Sequence, residues 1–412
     1  MSSYVLNKVT LFLESVHPSI LTPTLIAVAV ALLSWIYIKI ARGPYDMAKL
    51  NKIPGSWSMP VIGNSYNLAV PRTQFLDALK KLSRHGPISK FFLAHRPYVM
   101  LTRASGFETV MTSQKHITKS PDYAFLHPWL GTGLLNSTGE KWHSRRKMIT
   151  PTFHFKILED FLTIMNDQSK IMTDLLSSVD KDETIDIFPR ITHCVLDVIC
   201  ESAMGTNAGA QQDSNSPYVQ ALFSSAAIIL DRMMSPWLWS DTVFWNTSSG
   251  RRFKKDLHVL HGFTDKVIKE RKEAYMKKNS CQSNAAPDND EVLGKKRKLA
   301  FLDMLLEKSE NGRVLSDMDI REEVDTFMFE GHDTTAASMA STVCLLAHHQ
   351  DIQRKVQDEL DTVFGDDHER PVTTEDLSQM KYIESCIKES MRVLPVVAFI
   401  MRTILEDAVI EV

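Results

Sequence analysis

Beyond residue 105 apolar positions recur at helical spacing for most of the chain. The period predicts helices over 105–113, 139–149, 157–178, 187–204, 216–233, 250–278, 300–308, 316–348, 350–363 and 380–393. Upstream, a predicted helix over 73–84 precedes two short runs rich in β-formers, Ile88–Leu93 and Tyr98–Thr102, which read as strands. The pattern is that of a mainly α chain with a small β-sheet.

Two stretches break this pattern. Ser15–Ile38 contains no Asp, Glu, Lys or Arg. As a helix, the 19 residues Ile20–Ile38 rise about 28 Å, close to the hydrocarbon thickness of a bilayer. Trp35 and Tyr37 stand near its end, where an aromatic belt belongs. Lys39, Arg42, Lys49 and Lys52 follow, whereas only Lys8 precedes, so the positive-inside rule puts the body on the cytoplasmic side. No small-residue cleavage signature is evident, which favours an uncleaved anchor; a buried core helix is the alternative. The second break is the polar stretch 279–298, read as a surface loop within one domain. The expected organisation is an anchor over 1–42, a proline-rich connector over 43–70 and a single body over 71–412.

Composition changes this picture little. The chain of 412 residues is 44% hydrophobic and 24% charged with net charge -3, which argues against a nucleic-acid partner. Its five cysteines form no zinc-like cluster or disulfide framework, as expected in a reduced compartment. A cytoplasmic body would leave Asn136-Ser137-Thr138 and Asn246-Thr247-Ser248 unglycosylated, although both match the acceptor pattern. The aromatic cluster Trp237, Trp239, Phe244 reads equally as core or as a membrane-surface patch. Segment 251–278 carries ten Lys/Arg against four Asp/Glu, by default a solvated face, with anionic lipid or an acidic partner as the second reading.

Candidate chemistry concentrates in Phe327-Met328-Phe329-Glu330-Gly331-His332-Asp333-Thr334-Thr335. Glu330, Asp333 and Thr334 share one helix side at i, i+3 and i+4. Burying such groups is costly without partners, and Gly331 costs the helix about 1 kcal/mol relative to Ala. Gly331 also leaves room for something flat to approach the backbone. An acid beside an alcohol suits proton transfer in a dry pocket; a satisfied polar patch in a core helix is the alternative. Two further pairs stand on predicted helices: Trp142 with Arg146 at i and i+4, able to clamp a carboxylate, and Glu389 with Arg392 at i and i+3.

In this order, behind an anchor and a proline-rich connector, these segments resemble the cytochrome P450 superfamily. The resemblance is to its family 4, the fatty-acid ω-hydroxylase-like branch. Phe125-Leu126-His127-Pro128-Trp129-Leu130-Gly131 and Lys141–Phe155 carry it further. It implies the P450 fold and a haem b cofactor, ester-linked through Glu330 in that branch. Asp333 and Thr334 are similar to the catalytic pair that delivers protons to the oxygen being activated. Gly331 looks like the glycine that opens the helix over the haem. Trp142, Arg146 and Arg402 resemble holders of a haem propionate, and Glu389 and Arg392 the structural pair near the haem. Phe125, Leu126 and Trp129 are expected to line substrate access together with residues 222–237.

The implied reaction inserts one atom of O2 into a C–H bond of a fatty acid or similar lipophilic substrate. Electrons come from NADPH through NADPH–cytochrome P450 reductase, at the endoplasmic reticulum membrane. The family's iron ligand is a cysteine in a glycine-rich loop, Phe-x-x-Gly-x-x-x-Cys-x-Gly, and none of the five cysteines has that context. No metal ligand is therefore expected within the 412 residues. The chain is expected to be a fragment or an inactive form, with the thiolate beyond Val412. The alternatives are a non-catalytic, membrane-anchored lipid- or reductase-binding protein and an unstable product.

Overall fold

The computed structural model describes residues 18–153, 155–180, 182–213, 216–282, 301–309, 312–367 and 369–410. His154 and most of the polar 279–298 stretch lie outside them. The chain divides into two units. One takes residues up to His116, Met234–Trp239 and the segment from Leu405; the other takes Ile117–Met233 and Ser240–Ile404.

The first unit opens on α1 (Pro18–Arg42). Leu25, Ile26, Val30, Leu33 and Trp35 are all exposed, because apolar residues surround the helix instead of forming one stripe. Its window Thr22–Lys39 has a mean hydropathy of 1.6 and is long and apolar enough to cross a membrane. Short helices α2 (Met47–Leu50) and α3 (Ser65–Leu68) interrupt the connector. They escape prediction because four residues cannot display a period.

After α4 (Phe75–Leu82), β1 (Ile88–Leu93) and β2 (Arg96–Leu101) pair antiparallel, Ile88 opposite Leu101, and α5 (Ala104–Met111) follows. Leu68, Ala78, Leu82 and Phe91 form the unit's core, with Tyr98 stacked on Phe91 at 5.2 Å. The connector is strapped to β1. Asn64 donates its backbone N–H to the Phe92 carbonyl (2.6 Å) and accepts the Phe92 N–H on Oδ1 (2.8 Å). A Cβ at Gly55 would stand 2.1 Å from the Lys90 carbonyl oxygen, and Gly63 combines φ of +62° with the same crowding. Those glycines permit close approach rather than flexibility.

The second unit comprises α6 (His127–Leu130), α7 (Gly139–Ile149), α8 (Phe155–Ser177), α9 (Ile187–Ile199), α10 (Pro217–Met234), α11 (Asp241–Asn246), α12 (Ser248–Gln282), α13 (Phe301–Ser309), α14 (Asp317–His348), α15 (Gln350–Phe364), α16 (Thr374–Gln379) and α17 (Lys381–Val393). The predicted helices are present within a few residues at each end. The helix expected over 187–204 changes to a wider π turn over Cys200–Met204 and stops at Gly205, φ +66°. The surface loop expected from 279 begins later, since α12 continues to Gln282.

The spine is α14, 32 residues started by a Ser316/Asp319 capping box. α9 crosses it, burying Ile191 and Val195 against Ala336. Phe244 is fully buried, so the aromatic cluster contributes to the core of this unit, while Trp237, in the first unit, is 69% exposed.

Candidate functional site

α14 presents its acids in two environments. From Asp317 to Asp325 each one finds a partner. Asp317 pairs with Lys272 at 2.9 Å, and Arg145 pairs with Asp319. Glu322 takes Lys141 at 2.8 Å and the Thr132 N–H at 3.0 Å. Glu323 accepts the Leu134 N–H at 3.0 Å, with Arg145 Nε 3.6 Å away. Asp325 accepts Thr264 Oγ1–H at 2.6 Å. Burial pushes Glu323 up to about 7 and Asp325 up to about 8, the bonds from Leu134 and Thr264 opposing it. This seam binds α7 and the 131–134 turn to α14. It was missed in the sequence, where Arg146 drew attention and Arg145 did not; the structure buries Arg145 and leaves Arg146 exposed.

Glu330 differs. Burial raises its carboxyl pKa, opposed by the Lys119 ammonium and then the Arg146 guanidinium. Among the described residues its carboxylate accepts no hydrogen bond. Thr334 Oγ1 donates to the Glu330 carbonyl at 2.9 Å, and Asp333 stands half-buried beside it. His332 turns into the core, bonded through Nδ1 to the Met328 carbonyl at 2.6 Å and kept neutral by burial. At Gly331 a Cβ would meet Ile199 Cδ1 at 2.8 Å, so the absent side chain also admits α9.

Lys119 carried no signal in the sequence, because its neighbours there are not its neighbours in space. Residues 118–119 pair with 402–403: Thr403 N–H donates to the Thr118 carbonyl (2.8 Å) and Thr403 Oγ1–H to the Lys119 carbonyl (3.2 Å). This sets Lys119 beside Arg402. Burial, then Arg402, lowers the Lys119 pKa to about 8, with Glu330 the one charge opposing them. Lys119 and Arg146 thus approach the Glu330 carboxylate, and Arg402 stands beside Lys119. That surplus fits a ligand carrying two carboxylates.

The remaining expected residues are dispersed. Trp142 is half-buried on α7, its ring 5.1 Å from that of His143. Trp129 is buried with its ring 4.9 Å from Phe329; Phe125 is buried and Leu126 half-buried. Glu389 and Arg392 form the expected pair through two 2.7 Å bonds, and both side chains are exposed.

The sequence profile described as cytochrome P450 matches residues 53–411. The chain belongs to the cytochrome P450 family. It is 44% identical over 366 residues to cytochrome P450 4c3 of Drosophila melanogaster, covering 87% of this chain and 68% of that protein. To cytochrome P450 4V2 of Rattus norvegicus it is 45% identical, covering 84% of this chain and 66% of the relative. Cytochrome P450 4d2 of Drosophila melanogaster is 42% identical, with 87% and 72% covered. The chain thus spans about two thirds of the length of these relatives, within the family-4 branch. Its P450 membership makes it a monooxygenase by family and implies haem, O2, a redox partner and a lipophilic substrate in general.

Lys119 and Arg146 beside Glu330, with Arg402 next to Lys119, fit the propionates of a haem. No described cysteine suits the iron. Burial raises Cys194 to about 11 and Cys200 further, disfavouring thiolate, and Cys344 and Cys386 sit within α14 and α17. Among the described residues, no cluster of three or more His, Cys, Asp or Glu could hold a metal ion.

Proposed function

We propose that the full protein is a haem-thiolate monooxygenase that hydroxylates fatty acids or similar long aliphatic lipids. Electrons come from NADPH through NADPH–cytochrome P450 reductase, and α1 anchors the body on the cytoplasmic face of the endoplasmic reticulum. The observation that carries this reading is Glu330: a half-buried carboxylate that accepts no hydrogen bond among the described residues while Lys119 and Arg146 approach it. Haem b supplies the oxygen-activating chemistry when bound, and its thiolate comes from outside these residues. Lys119, Arg146 and Arg402 hold its propionates, with Trp142 packing beside them. Glu330 would hold it by an ester, the two electrons and the hydrogen lost from the haem being taken up by the O2 of the family's own reaction.

The chain's own groups do the rest. Lys119 and Arg146 favour Glu330 as the carboxylate against the burial that opposes it. The Asp333 carboxylate takes protons from solvent and passes them to Thr334 Oγ1, which must first swing away from the Glu330 carbonyl. Phe125, Leu126 and Trp129 exclude water along the lipid's path, and Glu389 with Arg392 braces the cysteine side.

A carbon monoxide difference spectrum of the reduced protein tests this. The full protein should give the thiolate-type Soret band, and the 412-residue chain alone should not. Haem uptake should weaken as pH rises through about 8, where Lys119 loses its proton, and Lys119→Met should flatten that dependence. The unsuitable cysteines favour a second reading, a non-catalytic lipid- or reductase-binding protein. Absence of the band from the full protein, with lipid binding retained, would select it.

A further inference from the structure

Arg232, on the last turn of α10, is 2% exposed. Its guanidinium carbon stands 4.0 Å from the centroid of the Phe244 ring and 4.8 Å from that of Phe125. One amino group, Nη2, donates to Asp241 Oδ1 at 2.6 Å, yet the Asp241 side chain is 79% exposed. One side chain therefore joins three segments: the 121–126 turn, the end of α10 and α11. The far side of this grip is rigid. Phe244 packs on Phe253 at 6.1 Å, and Gly250 lets the chains close, since a Cβ there would lie 2.1 Å from the Phe244 carbonyl oxygen.

A buried guanidinium needs its charge met. Aromatic faces do part of this, and a planar guanidinium can lie against both rings where an ammonium could not. The Asp241 carboxylate also meets it, from the water side, where salt and substitution can reach it. The ion pair also fastens together the ends of the chain that flank Met234–Trp239, the excursion assigned to the other unit.

We propose that Arg232 is a positioning residue that latches Phe125 to α11, and that its release sets how fast an apolar ligand passes the 121–126 turn. The proposal rests on the reading of Phe125, Leu126 and Trp129 as the lining of ligand access. A latch at the mouth acts on passage and not on the bound state. Opening it raises association and dissociation rates together and leaves affinity unchanged, whereas a contact inside the binding cavity would change affinity.

The test compares the full protein with its Asp241→Asn variant, a change at an exposed carboxylate that leaves Arg232 between its rings. Amide hydrogen exchange over 121–126 and 241–246 should quicken about tenfold, the weight of one charge-assisted hydrogen bond. In stopped-flow fluorescence with dansyl-aminoundecanoate, both rates should rise by about tenfold, leaving the dissociation constant within about twofold. Raising NaCl to about 1 M should move the wild type toward the variant and leave the variant unchanged. Unchanged exchange would overturn the latch. Faster exchange with unchanged rates, or an altered affinity at an unchanged association rate, would overturn its role in passage. If the probe binds neither protein, the access reading itself fails and the proposal with it, while the exchange data still report whether the latch exists.

Discussion

Glu323 and Asp325 lie in the first half of α14, and Glu330 lies only five residues beyond Asp325 on the same helix. The first two are fully or almost fully buried, and each accepts a hydrogen bond from a neighbouring element, Leu134 or Thr264. Glu330 is half-buried, its pKa raised by its surroundings, and accepts none among the described residues. Burial alone therefore does not mark a functional acid. The mark is burial combined with charges that approach without completing a bond. The stretch from Asp317 to Asp325 reads as the seam that holds α7, and Glu330 as a group held ready for something else.

Breaking the seam should have the largest effect. Arg145→Ala strands Glu323 without its nearest cation, leaves Asp319 only Lys141 at 3.8 Å, and should cost about 3–5 kcal/mol in urea unfolding. A loss below about 1 kcal/mol would mean the seam is not structural. Next comes Asp325, held up to about 8 in the fold by burial. Ionisation then favours the unfolded chain as pH rises, so this group's contribution falls between about pH 4 and 8. Relative to wild type, Asp325→Asn should be neutral at about pH 4 and stabilising by on the order of 3 kcal/mol at about pH 8. An advantage independent of pH would contradict the assignment.

Glu330→Gln sharpens the contrast. A carboxylate whose folded pKa is raised weakens the fold as pH rises above its unfolded value, so the amide should stabilise the haem-free chain at pH 7 relative to wild type, read by urea unfolding. Destabilisation would place Glu330 with the structural acids. The smallest effect belongs to Glu389→Gln. Its pair with Arg392 is exposed, and thermal unfolding of this chain should not change measurably.

The sequence carried the helices well because each long segment repeats its apolar positions over several turns, and the capping Ser316 marks the start of α14. Short elements such as α3 and the π turn at Cys200 left no such trace. Among site residues, Glu330 was legible as a charge where apolar residues belong. Lys119 was not, since only the pairing of 118–119 with 402–403 brings it near Arg402. Arg145 and Arg146 are adjacent, and helical periodicity alone could not say which of them faces α14. Gly331 shows a related limit: a missing side chain announces close approach without saying what approaches, and Ile199 is one such neighbour.

The central claim is the proposal that Glu330, which accepts no hydrogen bond among the described residues, serves to hold the haem. The direct measurement is acid–organic extraction of haem from the full protein after turnover, with wild type and Glu330→Ala side by side. The account predicts that haem stays with the wild-type polypeptide and leaves the variant. Equal extraction from both would contradict it.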